Sequence, residues 1–382
     1  MKGSSPATPA ETIESRTAEQ APARRARRVT GRTLAWRKFR RHKLALVALT
    51  FLALSYTVYI FAGFFAPYPP SESSERVYMR PQGIQFFDSE GRLQRPFVYG
   101  TKQAVNQDFQ LVYERDESAR HPIRFFVKRP RAQFGIGAQR LRTKLFGVEG
   151  AGAHVNLLGT DYRGRDMLSR IIYGGRITLS VGVFGVALST LLGVIIGTIS
   201  GYYGGRTDML IQRLIEMISS IPTLPLWLAL AAILPPDWPS TWRVFGIVSV
   251  LALIGWTGLA RQIRGMVLSI RERDYIRASV AGGADARFIM RKHVVPNVMS
   301  HLIVVSTIAL PGMILGESAI SFLGLGIQPP LTSLGLLINE AQNLNAILLS
   351  TWIMLPGVAI ILTVAAFNFL GDGLRDAADP YN

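Results

Sequence analysis

Four ionisable side chains lie within or beside the long apolar segments of this 382-residue chain, where they could do chemistry: Asp208, Glu216, Arg243 and Glu317. Carriers coupled to protons or sodium usually place carboxylates inside the membrane, so Glu216 and Glu317 keep a secondary carrier among the alternatives. The simpler interpretation is that both carboxylates form hydrogen bonds between helices near the ends of the spans. No Ser/His/Asp set or carboxylate pair indicates an intramembrane enzyme.

Composition excludes several other kinds of site. The phosphate-binding pattern G-x-x-x-x-G-K-[ST] is absent from the sequence, so the chain does not hydrolyse nucleotides by that route. The chain has no cysteine, which excludes disulfides, Cys-ligated zinc and thiol catalysis. Its five histidines are scattered and do not have the spacing of metal ligands. We therefore predict no catalytic, cofactor-binding or metal site within this chain.

A highly charged stretch, residues 271–297, separates two long apolar segments. Each charge near the centre of a bilayer costs about 2.5–3.5 kcal/mol, so this stretch must return to water between two spans. Its apolar residues recur at helical spacing, and Gly282-Gly283 interrupts the pattern. We predict two short amphipathic helices joined at the glycines, with an apolar stripe rimmed by cations that suits docking into a groove on another protein. The six cations are Arg271, Arg273, Arg277, Arg287, Arg291 and Lys292.

Apolar residues make up 49% of the chain and are grouped in runs of about 20 residues, the length that crosses a hydrocarbon core. This pattern predicts an all-α polytopic membrane protein with six transmembrane helices. Pro222 and Pro225 interrupt the third run and Pro356 lies in the last, and neighbouring helices can tolerate the resulting bends. The predicted spans are residues 44–65, 177–200, 208–234, 243–262, 299–323 and 350–371.

The net charge of +17 follows the apolar runs, a distribution that makes nucleic acid an unlikely partner. If the N-terminus is inside, the cytoplasmic segments hold 21 Lys or Arg residues, whereas the short outer loops 235–243 and 324–349 hold only Arg243. Cytoplasmic loops of membrane proteins carry an excess of Lys and Arg. We therefore predict that both termini are cytoplasmic.

The remaining segments differ in composition. Residues 1–32 lack large apolar side chains and are predicted to form a disordered cytoplasmic arm. Residues 33–66 begin with Trp36 and Phe39 among cations, which predicts an interfacial helix on membrane lipid ahead of the first span. Residues 67–156 contain short alternating pieces and turns, which predict a small β-rich external insertion between the first and second helices. Residues 157–382 hold the other five spans and the charged loop, taken as 263–297.

The charged loop resembles the coupling-loop signature of ABC importer permeases. Ala278, Gly283 and Pro296 match the family pattern of Glu-Ala-Ala, three residues, Gly, nine residues and Ile-x-Leu-Pro. Arg277, Ser279 and His293 depart from that pattern. Residues 274–279 resemble the Asp-Tyr-x-Arg-Ala-Ala sequence that is frequent in the peptide-transport branch, so the departure at Arg277 favours that branch.

Other strings resemble the same branch, the dipeptide, oligopeptide and nickel permeases. The resemblance covers about 155–382 together with the arm and first span, and it favours the C-type subunit of the heterodimeric pairs. The insertion at 67–156 is longer than in minimal permeases of this type, so its role is open: it could guide a binding protein or cap the partner permease. The strings are residues 158–161, 164–166, 169–176, 201–208, 317–326 and 374–380.

The resemblance implies a type I ABC importer permease fold in a bacterial inner membrane. It also implies four kinds of partner: a second, B-type permease, two ABC ATPase subunits that bind ATP and magnesium, an external solute-binding protein, and membrane lipid. The implied ATPase-coupling residues are Arg273, Asp274, Arg277, Ala278, Ser279, Gly283 and Pro296.

The implied function is import of dipeptides or oligopeptides. Nickel or another small solute is the alternative within the family, and a proton-coupled carrier or a channel- or receptor-like subunit is the alternative outside it. No residue is indicated as a ligand contact, because selectivity in this kind of importer normally lies with the binding protein.

Overall fold

The computed structural model describes residues 36–87, 91–105, 111–128, 143–148, 153–342 and 348–378. The arm predicted for residues 1–32 lies outside the described residues. Residues 36–39 form a helical turn ahead of the first long helix, where the interfacial helix is predicted. Trp36 stacks on Phe39 with ring centroids 5.8 Å apart, and Phe39 is buried.

Helices form most of the described chain. The first two are α1 (Lys43–Ile60) and α2 (Ala62–Phe65), and α3 (Met167–Tyr203) follows the insertion. The others are α4 (Gly205–Ser219), α5 (Thr223–Ala232), α6 (Ser240–Arg271), α7 (Asp274–Ala281), α8 (Ala286–Ile289), α9 (Val295–Phe322), α10 (Leu334–Glu340) and α11 (Leu355–Ala378). A π-helical segment, Met290–Val294, joins α8 to α9, and a 3-10 turn, Thr351–Met354, precedes α11.

Five of the described helical segments are long and apolar enough to cross a membrane. A sixth span results if α4 and α5, which are bent by 87° relative to each other, count as one. Counted in that way, the described helices provide six candidate spans, the number that the sequence predicts. Pro222 lies at the start of α5, in the break between these helices. The helix breaks there because proline lacks an N–H and disfavours helical geometry in the residue before it.

The second half of the charged loop differs from the prediction. The prediction of a separate second amphipathic helix is wrong, because α8, the π-helical segment and α9 form one helical span from Ala286 to Phe322. Pro296, which matches the family pattern, lies in the first turn of α9, a position where the missing N–H is not needed. In the same way, Pro356 is the second residue of α11 and starts that helix, so it does not bend the last span.

The insertion contains a four-stranded antiparallel sheet in the order β1 (Gln85–Phe87), β2 (Leu93–Val105), β3 (Leu111–Lys128) and β4 (Thr143–Val148). Strands β2 and β3 form a long hairpin, and β4 pairs with the end of β3 through Ile123 and Val148. The buried side chains beneath the sheet are Tyr68, Val98, Ile123, Val148, Ala153 and Val155. The Lys144 ammonium donates to the Gly63 carbonyl at 2.8 Å and so joins the sheet to α2.

Small residues allow α3 and α6 to pack closely. Gly193, Gly197 and Gly201 recur every fourth residue along α3 and face α6. A Cβ at Gly197 would lie 2.6 Å from the carbonyl oxygen of Ala260. Glycine at this spacing lets two helix backbones approach in lipid, where packing contributes much of the association energy.

The bundle has two distinct ends. Arg271 donates from Nη1 to the carbonyls of Gly201 and Tyr202 at 3.3 Å each, so α7 lies where α3 finishes. A Cβ at Gly175, near the start of α3, would meet the ring of Tyr59, near the end of α1 and the sheet. We call these the loop end and the sheet end of the bundle.

Gly164 lies in close contact with the backbone of Ser74 at the sheet end. We expect Gly164→Ala to lower the free energy of unfolding by about 2–4 kcal/mol. Its φ is +69°, and an added Cβ would lie 2.0 Å from the carbonyl oxygen of Ser74. Thermal unfolding in detergent measures the loss. Gly283→Ala is the matched control, since Gly283 has a φ of +83° with open space around it. The control should cost about 1 kcal/mol, and equal losses in the two variants would contradict the steric argument.

Candidate functional site

Helix α7 is a short helix of eight residues, and residues at its own two ends define where it starts and stops. Arg273 is its N-cap residue with extended backbone geometry, and Asp274 places a carboxylate in its first turn, where the helix dipole favours negative charge. At the other end Gly283 adopts a φ of +83°. There the Ala284 amide donates to the Ser279 carbonyl at 3.0 Å. A glycine in this conformation ends a helix while satisfying its last carbonyls.

One side chain anchors α7 to the bundle. Ile276 is the only buried residue of the helix. It packs in a cluster with residues of α6, α8, the π-helical segment and α9: Ile263, Val267, Ile270, Ile289, Val294 and Val298. The cluster around Ile276 and the bond from Arg271 of α6 to the end of α3 therefore link α7, directly or through α6, with α3, α6 and α9.

The opposite face of α7 is open. Ala278, opposite Ile276, and Arg277 are exposed. Val280, one turn after Ile276 on the same side of the helix, is still 52% exposed. Tyr275 of α7 and Phe288 of α8 are 40% and 49% exposed. An apolar surface of this kind, rimmed by arginines, is typical of a protein contact.

His293 and Asn297 contact the aromatic side chains of this face and hold them in place. The His293 ring lies 5.9 Å from the Tyr275 ring and 5.7 Å from the Phe288 ring, centroid to centroid. Asn297 donates from Nδ2 to the Tyr275 hydroxyl at 3.3 Å. The open face therefore includes the start of α9 as well as α7.

The structure brings most of the predicted coupling residues together. Arg273, Asp274, Arg277, Ala278 and Ser279 cap or form α7, and Gly283 forms the turn after it. Pro296 lies apart from them in α9, next to the Asn297 that reaches Tyr275. The Ser279 hydroxyl donates to the Tyr275 carbonyl at 2.9 Å, which holds it against its own helix.

Arg277 has a partner that the sequence analysis did not foresee. Its Nη2 donates to Glu272 Oε2 at 2.6 Å. Hydrogen bonds from Arg277 and then Arg271 lower the pKa of the Glu272 carboxyl. Both side chains of the pair are more than half exposed, so this ion pair contributes little stability. Breaking this exposed pair would therefore cost little free energy.

The other ionisable candidates have structural contacts. Arg264 binds Asp208 with two hydrogen bonds of 2.5 Å, and the Ser200 hydroxyl donates to the same carboxylate, which ties α3, α4 and α6 together at the loop end. Glu317 is fully buried and accepts from Thr178 at 2.9 Å. The interhelical hydrogen bond predicted for Glu317 is therefore confirmed.

The same prediction for Glu216 is wrong. Glu216 is exposed and pairs only with Arg213 of its own helix among the described residues, at 2.9 Å. Arg243 is buried near the sheet end, where Nη1 lies 3.4 Å from the Pro236 carbonyl.

Sequence reasoning missed an ion cluster at the sheet end. Asp161 Oδ2 accepts from Arg165 Nε at 2.7 Å and also from Arg170. Glu340 Oε2 accepts from Arg165 Nη2 at 3.0 Å and from Arg170 Nη1 at 2.5 Å. Asp161, Arg165 and Arg170 lie in strings that carried the family resemblance, which was the available signal for them. Nothing in the sequence pointed to Glu340.

Asp166 should make stability depend on pH. Burial raises the pKa of its carboxyl to about 6 although Ser169 and Asn156 donate to it. The folded chain therefore holds a proton that the unfolded chain releases near pH 4, and the free energy of unfolding falls as pH rises from about 4 to 6. We expect a loss of roughly 3 kcal/mol over this window relative to Asp166→Asn. Thermal melts of both proteins between pH 4 and 7 test this, and parallel pH curves would contradict it.

The comparisons with known proteins follow the same division of the chain. A family profile described as "Binding-protein-dependent transport system inner membrane component" matches residues 193–381. A second, "N-terminal TM domain of oligopeptide transport permease C", matches residues 32–84. The first match contains α7, Gly283 and Pro296, and the second contains α1.

Curated relatives extend these matches. The oligopeptide transport system permease protein OppC of Haemophilus influenzae is 41% identical over 226 residues, 59% of this chain and 70% of that protein. The dipeptide transport system permease protein DppC of Lactococcus lactis is 32% identical over 346 residues, 91% of this chain and 89% of that protein. The chain belongs to the OppC/DppC permease family.

This permease is a multi-pass protein of the inner membrane, as the family description and its apolar helices indicate. Among solved structures, a chain of the inward-facing MetNI methionine ABC transporter aligns with 55% of the permease and 97% of its own length, at 19% identity and a TM-score of 0.40. Within the described residues, no group of three or more His, Cys, Asp or Glu side chains is placed to hold a metal ion.

Proposed function

We propose that this chain is a permease subunit of an ATP-driven ABC importer for dipeptides or oligopeptides. It forms half of the translocation pore beside a B-type permease, and α7 docks into a groove on a cytoplasmic ATPase subunit. The observation that carries the proposal is the form of α7: small Ala278 lies on an exposed face while Ile276, on the buried face, is fixed among the spans. Such a helix can be gripped from outside and can move the spans with it.

The contacts of α7 explain how an ATPase could drive the pore. ATP and magnesium are bound by the two ATPase subunits, whose closure pulls on the docked helix. The buried cluster around Ile276 passes the displacement to α6 and α9, and the Asp208–Arg264 pair carries it from α6 to α4. Packed side chains transmit displacement because protein interiors have low compressibility. Hydrolysis and release of the ATPase dimer then reset the pore.

This proposal places the loop end in the cytoplasm with both termini, and the sheet end outside. The charge asymmetry of the loops supports that orientation. The β-sheet, which sits over α2 at the sheet end, then faces the external solute-binding protein.

Peptides are favoured over nickel or another small solute by the names of the relatives. Those of Haemophilus influenzae, Bacillus subtilis and Pseudomonas aeruginosa are named as oligopeptide, dipeptide and di/tripeptide transport permeases. A proton-coupled carrier is disfavoured because Glu317 is engaged in hydrogen bonds to Thr178 and Ser321, and Glu216 is exposed. An ATP-driven peptide importer therefore accounts for these features better than a proton-coupled carrier does.

Co-purification followed by uptake tests the proposal. The tagged full-length chain, expressed with its neighbouring transport proteins, should bring down two ATPase subunits and a second permease. In proteoliposomes with the binding protein, uptake of a labelled dipeptide or tripeptide should require ATP on the loop side and should stop with vanadate. Purification of the chain alone, together with uptake driven by a proton gradient without ATP, would overturn the proposal.

A further inference from the structure

A recess at the sheet end is lined by three arginines, two of which belong to the ion cluster. Its volume is about 410 Å³, within the usual range for small-ligand pockets. Arg165 and Arg170, at its inner side, are only 6% and 2% exposed. The rest of the lining comes from Pro70, Ser71, Ser73, Arg163, Pro329, Pro330, Leu331 and Thr332. Several guanidinium groups converging on one recess are typical of a site for a small anion.

The arginines of the recess outnumber the carboxylates that pair with them. Asp161 and Glu340 pair with Arg165 and Arg170, which leaves the third guanidinium without a carboxylate among the described residues. That group belongs to Arg163, which is exposed and lies over the Tyr162 ring at 5.1 Å. One positive charge therefore remains available at the mouth of the recess.

Asp166, next along the chain, does not supply the missing negative charge to this recess. Its carboxylate accepts from the Ser169 amide at 2.8 Å and from Asn156 Nδ2 at 3.0 Å. It lies against a different, smaller cavity. The Asp166 carboxylate therefore caps the first turn of α3 and does not pair with the arginines of the recess.

Arg170 also has unused hydrogen-bonding capacity. Its Nη1 is shared between Asp161 and Glu340, and its Nη2 reaches only Thr332 Oγ1 at 3.3 Å. Its Nε has no partner among the described residues although it is buried. A buried donor without a partner is unfavourable, so an acceptor beside Thr332 would improve the contacts of this guanidinium group.

We propose that this arginine recess binds the carboxylate of a small solute. Arg163 would provide the exposed contact, while Arg165, Arg170 and Thr332 form the fixed wall. A carboxylate matches a guanidinium group with two parallel hydrogen bonds. Since every unmodified peptide ends in a carboxylate, this inference rests on the proposed function and gives the permease a contact with the part that all peptide substrates share.

Labelling of Arg163 with phenylglyoxal tests the proposal directly. The assembled transporter in nanodiscs is treated with phenylglyoxal in the presence of tri-alanine, of tri-alanine amide or of neither peptide. Modification of Arg163 is followed by peptide mass spectrometry. Tri-alanine should slow labelling of Arg163 roughly tenfold at saturation, whereas the amide, which lacks the carboxylate, should have no effect. Arg213, an exposed arginine elsewhere in the chain, serves as the internal control and should label equally in all three.

Calorimetry with Arg163→Gln provides a second measurement. Because the Arg163 side chain is exposed, the variant should fold, and tri-alanine should bind it about tenfold more weakly than wild type. Arg163→Lys keeps the charge and should lose less affinity. The wild-type labelling decides the question even if a variant is unstable.

Three outcomes would overturn the site. They are unchanged Arg163 labelling with tri-alanine, equal protection by the amide, and protection by the external binding protein alone while tri-alanine has no effect. The last would assign the recess to a protein contact. Labelling reports occupancy and not uptake, so failure of ATP-driven transport would leave a positive result intact, and failure of labelling would leave the proposed function intact.

Discussion

Ala278→Arg should abolish ATP-driven peptide uptake and reduce recovery of the ATPase subunits with the permease by at least tenfold. Ala278 is exposed in α7, where a small side chain permits close approach of a partner surface. A guanidinium group there would hold that surface away and bury an unpaired charge, which costs several kcal/mol. Pull-down of the assembled transporter and vesicle uptake measure the two effects.

A matched substitution separates docking from folding in this experiment. Ala378→Arg makes the same chemical change at an exposed position at the loop-end terminus of α11, outside α7. It should leave uptake and co-purification near wild type, and both variants should insert in equal amounts. Normal transport by Ala278→Arg, or equal losses in the two variants, would contradict the assignment of α7 as the coupling helix.

Arg170→Gln should lower the free energy of unfolding by about 3–5 kcal/mol, because it removes one partner from a buried ion cluster. Asp161 and Glu340, whose side chains are 5% and 12% exposed, would then share Arg165 alone. Thermal unfolding of the purified permease in detergent measures the loss as a fall in Tm.

Two further variants identify the cause of that loss. Arg213→Gln breaks the exposed pair with Glu216 and should cost no more than about 1 kcal/mol. Arg170→Gln combined with Glu340→Gln restores the balance of one carboxylate to one guanidinium and should recover part of the stability. If Arg170→Gln melts like Arg213→Gln, the cluster does not hold α10 against α3.

Several features of the fold could be predicted because they are encoded locally. Apolar runs of membrane length identified the spans, and the helical spacing and Gly283 identified α7 with its terminating turn. Alternating pieces identified the strands, although β2 and β3 extend well beyond them. Pairing between neighbouring strands lengthens a strand past the point where its own pattern ends.

Other features depend on contacts between distant parts of the chain. The continuity of α8 with α9 removed the expected second helix, because helical geometry can run through Met290–Val294 as a π segment once Ile289 and Val294 are buried together. Likewise, Glu216 and Glu317 look alike in sequence. Packing against Thr178 of α3 distinguishes Glu317, while Glu216 remains in an exposed pair.

The membrane spans, the asymmetry of charge and the exposed helix α7 can all be recognised in the amino-acid sequence, since each depends on the composition or period of a short segment. The contact between Glu340 and Arg170, which are 170 residues apart, and the recess beside them with Arg163 at its mouth are visible only in the folded chain. No local pattern specifies such a meeting, because it depends on how α10 packs against the start of α3.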